Sequence, residues 1–141
     1  MAMTLHVDVV SAESPIFSGT VDAVFAPAIQ GEVGVLPRHS PFLAQLKPGQ
    51  VRVVKQGGEE DFFYVSGGVL EVLPHTVTVL ADTALRARDV DEAAALAAKE
   101  RAEQALHNRT GEREWAEAQA ELARAIAQLQ VVQHMRRRAK H

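Results

Sequence analysis

Residues 69–98 read VLEVLPHTVTVLADTALRARDVDEAAALAA, and the chain changes from strand-forming to helix-forming sequence within this stretch. The first part carries apolar, β-branched residues on both sides of Pro74, a pattern that predicts two strands joined by a tight turn. The last part is rich in alanine, which has the highest helix propensity of any residue. We therefore predict a β domain over residues 1–86 and a helical domain over residues 87–141.

The composition of the whole chain supports this division. All six prolines and all five phenylalanines come before residue 75, whereas 13 of the 35 residues from Ala93 to Ala127 are alanine. Period-two alternation recurs in the first part, at residues 5–9 and 21–25, and is typical of half-buried strands. Turn-forming residues separate such segments at intervals of about 8–12 residues, which predicts a β-sandwich or a β-barrel.

The second part predicts two helices joined by a short loop. Asp89 is the expected N-cap of the first helix, with Glu92 as its capping-box partner. The loop at residues 108–111 interrupts the pattern, and so short a connection indicates antiparallel neighbours. Apolar residues are expected to face each other along two seams, formed by Ala94, Ala98, Ala102 and Leu106 in the first helix and by Trp115, Ala118, Leu122, Ala125, Leu129 and Val132 in the second.

These alanine-rich seams bury little apolar surface for each residue. At about 25 cal/mol per Å² of buried apolar surface, such a seam stabilises a hairpin less than a leucine-rich one does. We therefore expect a weakly held hairpin that is able to leave its docked position.

The chemistry-bearing residues do not form a recognisable catalytic or metal-binding pattern. The sequence has no cysteine, and no serine lies in a Gly-x-Ser-x-Gly context. His6 and Asp8 share a strand face but have no third ligand at a metal-binding spacing. The glycine-rich segment at residues 31–34 lacks the lysine of a phosphate-binding loop. These observations predict a protein that binds other proteins and has no catalytic residue, metal or cofactor of its own.

Charge and hydropathy narrow the classes of partner. No apolar run approaches the roughly 20 residues of a membrane-spanning helix, and the start of the chain does not resemble a secretory signal. The net charge of −3 does not favour nucleic acid as a partner. The basic residues Arg136, Arg137 and Arg138 have two interpretations that the sequence leaves open. They complement the negative end of a helix dipole, or they form a ligand for an acidic partner surface.

Several segments, in the same order, resemble the epsilon subunits of bacterial F-type ATP synthases. The resemblance covers nearly the whole chain and implies a two-layer β-sandwich followed by a C-terminal antiparallel helical hairpin. It depends on the ordered set and not on any single motif. The matching segments are Leu5–Ser11, Phe17–Gly19, Gly31–Pro37, Lys47–Gly49, Ser66–Val72, Val77–Asp82 and Lys99–Glu103, together with His39 and Pro41.

The resemblance implies a non-catalytic subunit in the central stalk of a proton-translocating ATP synthase, on the cytoplasmic side of the bacterial cell membrane. The sandwich is expected to bind the gamma subunit near His39 and the c-ring through the loop that contains Glu32. The hairpin is expected either to fold against the sandwich or to extend along gamma into the alpha/beta catalytic head, where it hinders ATP hydrolysis. Arg124 and the arginines at 136, 137 and 138 are then candidates for contacts with acidic loops of the head.

One position departs from the family pattern. Some relatives bind ATP through an Ile/Leu-Asp-x-x-Arg-Ala motif at the start of the first helix, where this chain has VDEAAA at residues 90–95. Ala94 occupies the arginine position and supplies no charged donor to a phosphate. Weak ATP binding is therefore expected, which counts against the alternative hypothesis of a stand-alone ATP-sensing module.

Overall fold

The computed structural model describes residues 3–108 and 111–139. Within them a series of strands precedes two helices. A short 3-10 turn, Ala87–Asp89, connects the last strand to the first helix. The strands are β1 (Leu5–Ser11), β2 (Pro15–Val21), β3 (Ala23–Ala28), β4 (Gly31–Val35), β5 (Phe42–Leu46), β6 (Gly49–Val54), β7 (Glu60–Val65), β8 (Gly68–Val72), β9 (Thr76–Ala81) and β10 (Ala84–Arg86), and the helices are α1 (Glu92–Asn108) and α2 (Glu112–Ala139).

The strands form a β-sandwich that is nearly closed on itself. Neighbouring strands follow the order β10-β7-β6-β3-β5-β8-β9-β1-β2, and β4 pairs with β3 beside this path. Every pair is antiparallel except β1 with β9, which is parallel. The two ends of the order meet, since the rings of Phe17 in β2 and Phe63 in β7 lie 5.5 Å apart. The fold confirms the β-sandwich and helical hairpin that the family resemblance implies.

Period-two alternation places one side of most strands in the core, whereas β3 and β7 have consecutive buried residues. In β1, for example, Leu5, Val7 and Val9 are buried while the residues between them are partly exposed. No polar side chain is buried among the described residues, so the core of this part of the chain depends on apolar packing. The core consists of Leu5, Val7, Val9, Val21, Val24, Ala26, Val35, Leu46, Val51, Val53, Phe63, Val65, Leu70, Val72, Val77, Val79, Ala81 and Ala84.

Gly68 allows two strands to approach closely where β8 begins. Its φ of +135° lies in a region that residues with a side chain rarely adopt, and a Cβ atom there would overlap with the Leu80 carbonyl oxygen. The adjoining backbone is fixed by a hydrogen bond from the Asp82 amide to the Gly67 carbonyl oxygen at 3.0 Å. The Gly67-Gly68 pair is therefore needed for the pairing of β8 with β9.

The first helix begins later than its predicted N-cap. Asp91, not Asp89, caps the helix, because the Asp91 Oδ1 accepts a hydrogen bond from the N3 amide at 3.0 Å. Asp89 belongs instead to the 3-10 turn at the edge of the sandwich. The predicted capping box is also wrong, since the Glu92 carboxylate accepts a hydrogen bond from Arg136 of α2. Asp89 and Asp91 carry the same capping group, but Asp89 lies in the turn that packs on the sandwich, and the helix begins only after Asp91.

The two helices are antiparallel, as predicted. Arg136 near the end of α2 pairs with Glu92 at the start of α1. The predicted break between the helices is confirmed, although residues 109 and 110 of that loop lie outside the described residues. Neither described helix is long and apolar enough to span a membrane.

The predicted seams between the helices are largely confirmed. The exceptions are Trp115, which is 42% exposed, and Ala94, which is exposed while its neighbour Ala95 is buried. Alanine therefore brings the two helices together over most of their contact, as the sequence indicates. The buried or half-buried seam residues are Ala95, Ala98, Ala102 and Leu106 in α1 and Ala118, Leu122, Ala125, Leu129 and Val132 in α2.

Helix α2 is also buried on a second side, which the sequence analysis missed. Ala127 and Val131 pack against Phe62 and Tyr64 of β7 and against Ala87 of the 3-10 turn. Apolar residues of α2 lie on more than one side of the helix, so periodicity alone does not separate this docking face from the seam. The sandwich therefore holds the hairpin through α2.

Polar contacts border the docking face. His134 Nδ1 donates a hydrogen bond to Gln50 Oε1 of β6 at 2.6 Å. Burial under the helix raises the pKa of Tyr64, while a hydrogen bond to Gln128 and the positive charge of Arg124 have smaller, opposite effects. The docking contact is thus a small apolar patch with polar groups at its rim.

We propose that residues 1–86 fold without the hairpin, because the main core contains only residues of the strands. A fragment of residues 1–86 should give a β-type far-UV circular dichroism spectrum and a cooperative thermal transition. Its midpoint should lie below that of the full chain, because Phe62 and Tyr64 lose their cover. Residues 87–141 alone should be only partly helical, since a short hairpin without a large buried face is marginal. A disordered 1–86 fragment would contradict this boundary.

Candidate interaction surfaces

Glu32 lies exposed on a strand at the side of the sandwich. It belongs to β4, where its partner across the strand pair is Pro27 of β3. Gly31 before it has a φ of +137°, so the turn into β4 favours glycine. The glutamate borders a groove of about 450 Å³ between the sandwich and α2. The same groove is lined by Lys47 and Gln50 of the sandwich and by Ile126, Gln130 and His134 of α2.

His39 lies in the connection between β4 and β5, where local contacts fix its ring. Its Nδ1 donates a hydrogen bond to the Ser40 carbonyl oxygen at 2.9 Å, and the ring lies 5.1 Å from that of Phe42. Arg38 has a φ of +67°, and its amide donates a hydrogen bond to the Pro74 carbonyl oxygen at 2.8 Å. His39 is therefore held close to the turn that joins β8 and β9.

An apolar surface that the sequence analysis missed lies on the outer side of β5, β8 and β9. Leu43, Val69 and Leu80 are 70%, 40% and 49% exposed. Val69 pairs with Leu80 across β8 and β9, and Leu43 lies on the same side of β5, where its own partner in β8 is Glu71. Consecutive apolar residues at Val69-Leu70 and Val79-Leu80 depart from period-two alternation, which is the signal that could have revealed this surface.

This apolar surface and the predicted gamma-binding position both involve β5. Leu43 directly follows Phe42, the residue on which the His39 ring packs, but the two side chains leave the strand on opposite sides, Phe42 toward the core and Leu43 outward. Clustered large apolar side chains on the outside of a sheet are typical of protein–protein interaction sites. We refer to Leu43, Val69 and Leu80 as the outer apolar surface.

Two of the predicted basic interface residues are paired within the chain. Arg138 Nη2 lies 2.9 Å from Glu60 Oε1 of β7, and Arg136 Nη1 lies 3.1 Å from Glu92 Oε1 of α1. Arg137 is exposed and forms no ion pair with the described part of the chain. The end of α2 therefore contacts acidic groups of its own chain in this structure.

Arg124, the fourth predicted basic residue, lies in an earlier part of α2. It is exposed, and its charge acts on the Tyr64 hydroxyl below the helix. The fold therefore distributes the four arginines along one helix and does not gather them around a single pocket. Their contact with a partner stays a prediction.

The residues considered for nucleotide and for metal binding lie in separate elements, α1 and β1. Ala94 is exposed, and its amide already donates to the capping Asp91. His6 Nε2 lies 3.2 Å from Asp8 Oδ1 and 3.1 Å from Ser18 Oγ. A hydrogen bond from Ser18 lowers the pKa of Asp8, with a smaller contribution from His6, against the opposing effect of desolvation. No group of three potential metal ligands occurs among the described residues.

Two family descriptions match the chain in succession. The ATP synthase, Delta/Epsilon chain, beta-sandwich domain matches residues 4–87. The ATP synthase, Delta/Epsilon chain, long alpha-helix domain matches residues 88–133. Together they cover most of the chain.

Individual relatives are similar over nearly their whole length. The ATP synthase epsilon chain of Nitrosococcus oceani is 66% identical over 138 residues, which are 98% of this chain and 99% of the relative. The ATP synthase epsilon chain of Alkalilimnicola ehrlichii is 61% identical over 137 residues, which are 97% of this chain and 98% of the relative. A chain in the Euglena gracilis mitochondrial ATP synthase has a similar fold, with a TM-score of 0.80 and 23% identity over 88% of this chain and 78% of that chain.

These comparisons agree with the observed architecture, in which a nearly closed sandwich is followed by two antiparallel helices. They confirm the resemblance drawn from the sequence and the prediction of a non-catalytic ATP synthase subunit. This chain therefore belongs to the ATP synthase Delta/Epsilon chain family and is a relative of the epsilon chains.

Proposed function

We propose that this chain is a central-stalk subunit of a proton-translocating F-type ATP synthase and couples the rotation of the c-ring and gamma to the catalytic head. The observation that carries the proposal is its 66% identity to an ATP synthase epsilon chain over 98% of its length. Identity at that level, through both the strands and the helices, supports the same role in the same kind of complex. The chain is then bound peripherally, through the complex, on the cytoplasmic side of the cell membrane.

The outer apolar surface is the proposed docking site for gamma. His39, which the resemblance assigns to this contact, precedes β5, the strand that carries Leu43. Covering Leu43, Val69 and Leu80 removes apolar area from water, which stabilises a complex by about 25 cal/mol for each Å² buried. The sandwich presents these side chains on paired strands, so little conformational freedom is lost on binding.

Glu32 is the proposed contact to the c-ring. Its carboxylate is exposed on a strand that is held by five residue pairs with β3, so the charge is presented from a fixed backbone. An exposed charge of this kind changes the rate and specificity of association more than the final affinity. The contact is therefore suited to positioning the rotor subunits relative to each other.

The hairpin is the proposed inhibitor of ATP hydrolysis. It is attached to the sandwich through one face of α2, where Ala127 and Val131 are the buried residues of the helix. Undocking therefore breaks few contacts of α2 itself, although it uncovers Phe62 and Tyr64 of the sandwich. The end of α2 is basic through Arg136, Arg137 and Arg138 and is suited to acidic loops of the catalytic head. No observation favours the alternative of a stand-alone ATP sensor, because Ala94 offers no charged group to a phosphate.

The gamma contact can be tested by assembly. A tagged chain should co-purify with gamma and the c-ring from detergent extracts, and Leu43→Glu should abolish this while preserving the fold, since Leu43 is already 70% exposed. Leu96→Glu, at a leucine of α1 that is 48% exposed, is the matched control and should assemble normally. Equal recovery of rotor subunits with Leu43→Glu would contradict this surface. Failure of the unsubstituted chain to recover them would contradict the proposed function.

The c-ring contact can be tested by proton pumping. Glu32→Lys should weaken the coupling of ATP hydrolysis to proton movement without unfolding the chain, because the carboxylate is exposed. The measurement is the proton gradient formed per ATP hydrolysed in inverted membrane vesicles. Glu13→Lys makes the same charge change in the exposed β1–β2 turn and should leave coupling intact. Identical coupling in the two variants would argue against Glu32 as the contact.

The inhibitory role predicts that deletion of residues 109–141 raises ATP hydrolysis by the assembled enzyme and leaves ATP synthesis largely intact. Each exposed ion pair to the head contributes only about 0.2–1 kcal/mol, so inhibition needs several pairs and should weaken with salt. Joint neutralisation of Arg136, Arg137 and Arg138 should relieve part of the inhibition. The rates are compared at equal subunit content. Equal hydrolysis by the truncated and complete enzymes at low salt would show that the hairpin does not inhibit.

A further inference from the structure

Glu60 of β7 links the end of helix α2 to the sandwich. Its Oε1 lies 2.9 Å from Arg138 Nη2, and its Oε2 lies 3.4 Å from Arg52 Nη1. Its side chain is only 16% exposed, so this carboxylate is screened by water less than the other acids of the hairpin contact. Arg138 Nη2 also lies 3.4 Å from the Gly58 carbonyl oxygen, which directs the guanidinium into the turn before β7.

The sandwich prepares this acidic site without the helix. Glu60 is the first residue of β7 and pairs with Val54 of β6. Arg52 of β6, which binds one carboxylate oxygen, stacks on the Phe25 ring at 4.1 Å from its centroid. One oxygen of Glu60 is therefore held by an arginine of the sandwich, and the other is left for the helix. A carboxylate fixed in this way loses little conformational freedom when Arg138 binds.

Arg138 continues the docking face of α2. Ala127, Val131, His134 and Arg138 follow one another at spacings of four, three and four residues, which places them on one side of the helix. The first two pack on the sandwich and the third donates a hydrogen bond to Gln50. The ion pair to Glu60 is thus the last contact of a continuous stripe.

We propose that Glu60 is the internal counter-ion that holds the hairpin on the sandwich and thereby withholds Arg138 from an acidic partner surface. The proposal rests on the proposed inhibitory role of the hairpin and specifies how it is regulated. While Arg138 is bound to Glu60 and to the Gly58 carbonyl oxygen, its guanidinium faces the sandwich and not a partner. Docking and inhibition therefore compete for this arginine, and weakening one favours the other.

The competition predicts that substitutions of the two members of the ion pair have different effects on ATP hydrolysis. Glu60→Gln weakens the docked state only, so the hairpin extends more often and ATP hydrolysis falls. Arg138→Gln weakens the docked state and the contact with the partner together, so hydrolysis does not fall. A contact that served the fold alone would give the two variants the same effect.

Docking itself can be measured in the full-length chain, which has no cysteine. Ala127→Cys places a single thiol in the docking face, where the native side chain is 2% exposed, and its rate of modification then reports the undocked fraction. Glu60→Gln and Arg138→Gln in this background should each raise the rate about fivefold, and the double variant should raise it no further. Glu59→Gln removes a neighbouring exposed charge and should leave the rate unchanged.

The proposed counter-ion and the proposed inhibitory role can be tested separately. The rate of thiol modification tests the counter-ion, and ATP hydrolysis by the assembled enzyme tests the inhibitory role. Equal rates of thiol modification with Glu60→Gln and Glu59→Gln would contradict the role of Glu60 as counter-ion, even if truncation at residue 109 still raises ATP hydrolysis. A rise in modification together with lower hydrolysis for Glu60→Gln, and not for Arg138→Gln, is the expected result. If truncation has no effect on hydrolysis, the proposed inhibitory role fails, and with it the withholding of Arg138 from a partner.

Discussion

The position of the hairpin on the sandwich depends on the packing of helix α2 on two sides. One side meets α1 through alanine, leucine and valine, and the other meets β7 and the 3-10 turn through Ala127 and Val131. Small residues on both sides let the helix fit between its neighbours, and on the sandwich side they cover the rings of Phe62 and Tyr64. The hairpin therefore has few buried residues of its own and is attached to the sandwich through one face of α2.

The sandwich has the opposite character. Its core is a continuous set of buried strand residues, with Phe63 and Leu70 among the largest, and Gly68 permits the close pairing of β8 with β9. Dense apolar packing of this kind resists change, since even one missing methylene group is felt in a filled core. The chain thus combines a rigid part, suited to fixed contacts within a rotor, with a weakly attached part, suited to changing its position.

Polar groups are placed where this weak attachment can be adjusted. His134, Arg138 and Tyr64 lie at the rim of the docking face, and each has a partner across the contact between sandwich and helix. Such contacts give a docked hairpin a definite register, while their individual contributions remain small. The outer apolar surface, by contrast, lies on a different side of the sandwich, where the hairpin does not cover it. The two kinds of surface can therefore act independently.

The change from strands to helices follows from local properties of the sequence and could be predicted from it. Alternation indicated strands such as β1, and alanine content indicated two helices with a break between them, because both are local properties of the chain. The alternation predicted at residues 21–25 is wrong, since β2 ends at Val21 and β3 begins at Ala23, with Val24 buried and Phe25 partly exposed. The exact start of the first helix was harder to predict, because Asp89 and Asp91 both carry a capping carboxylate. In the structure Ala87 of the 3-10 turn packs against Phe62 and Tyr64, and the helix begins after Asp91. Of the candidate residues, Glu32 and His39 came from the family resemblance, and the structure adds their setting.

The contacts that join the sandwich, the hairpin and the outer surfaces could not be predicted from the sequence. The second face of α2, the outer apolar surface and the pairing of Glu60 with Arg138 all bring together residues from separate elements. Periodicity reports which residues share a side of one element, but it carries no information about the element that will cover that side. From the sequence, Arg138 near the end of α2 could interact with the helix dipole or with another protein. In the folded chain it forms an ion pair with Glu60 of β7.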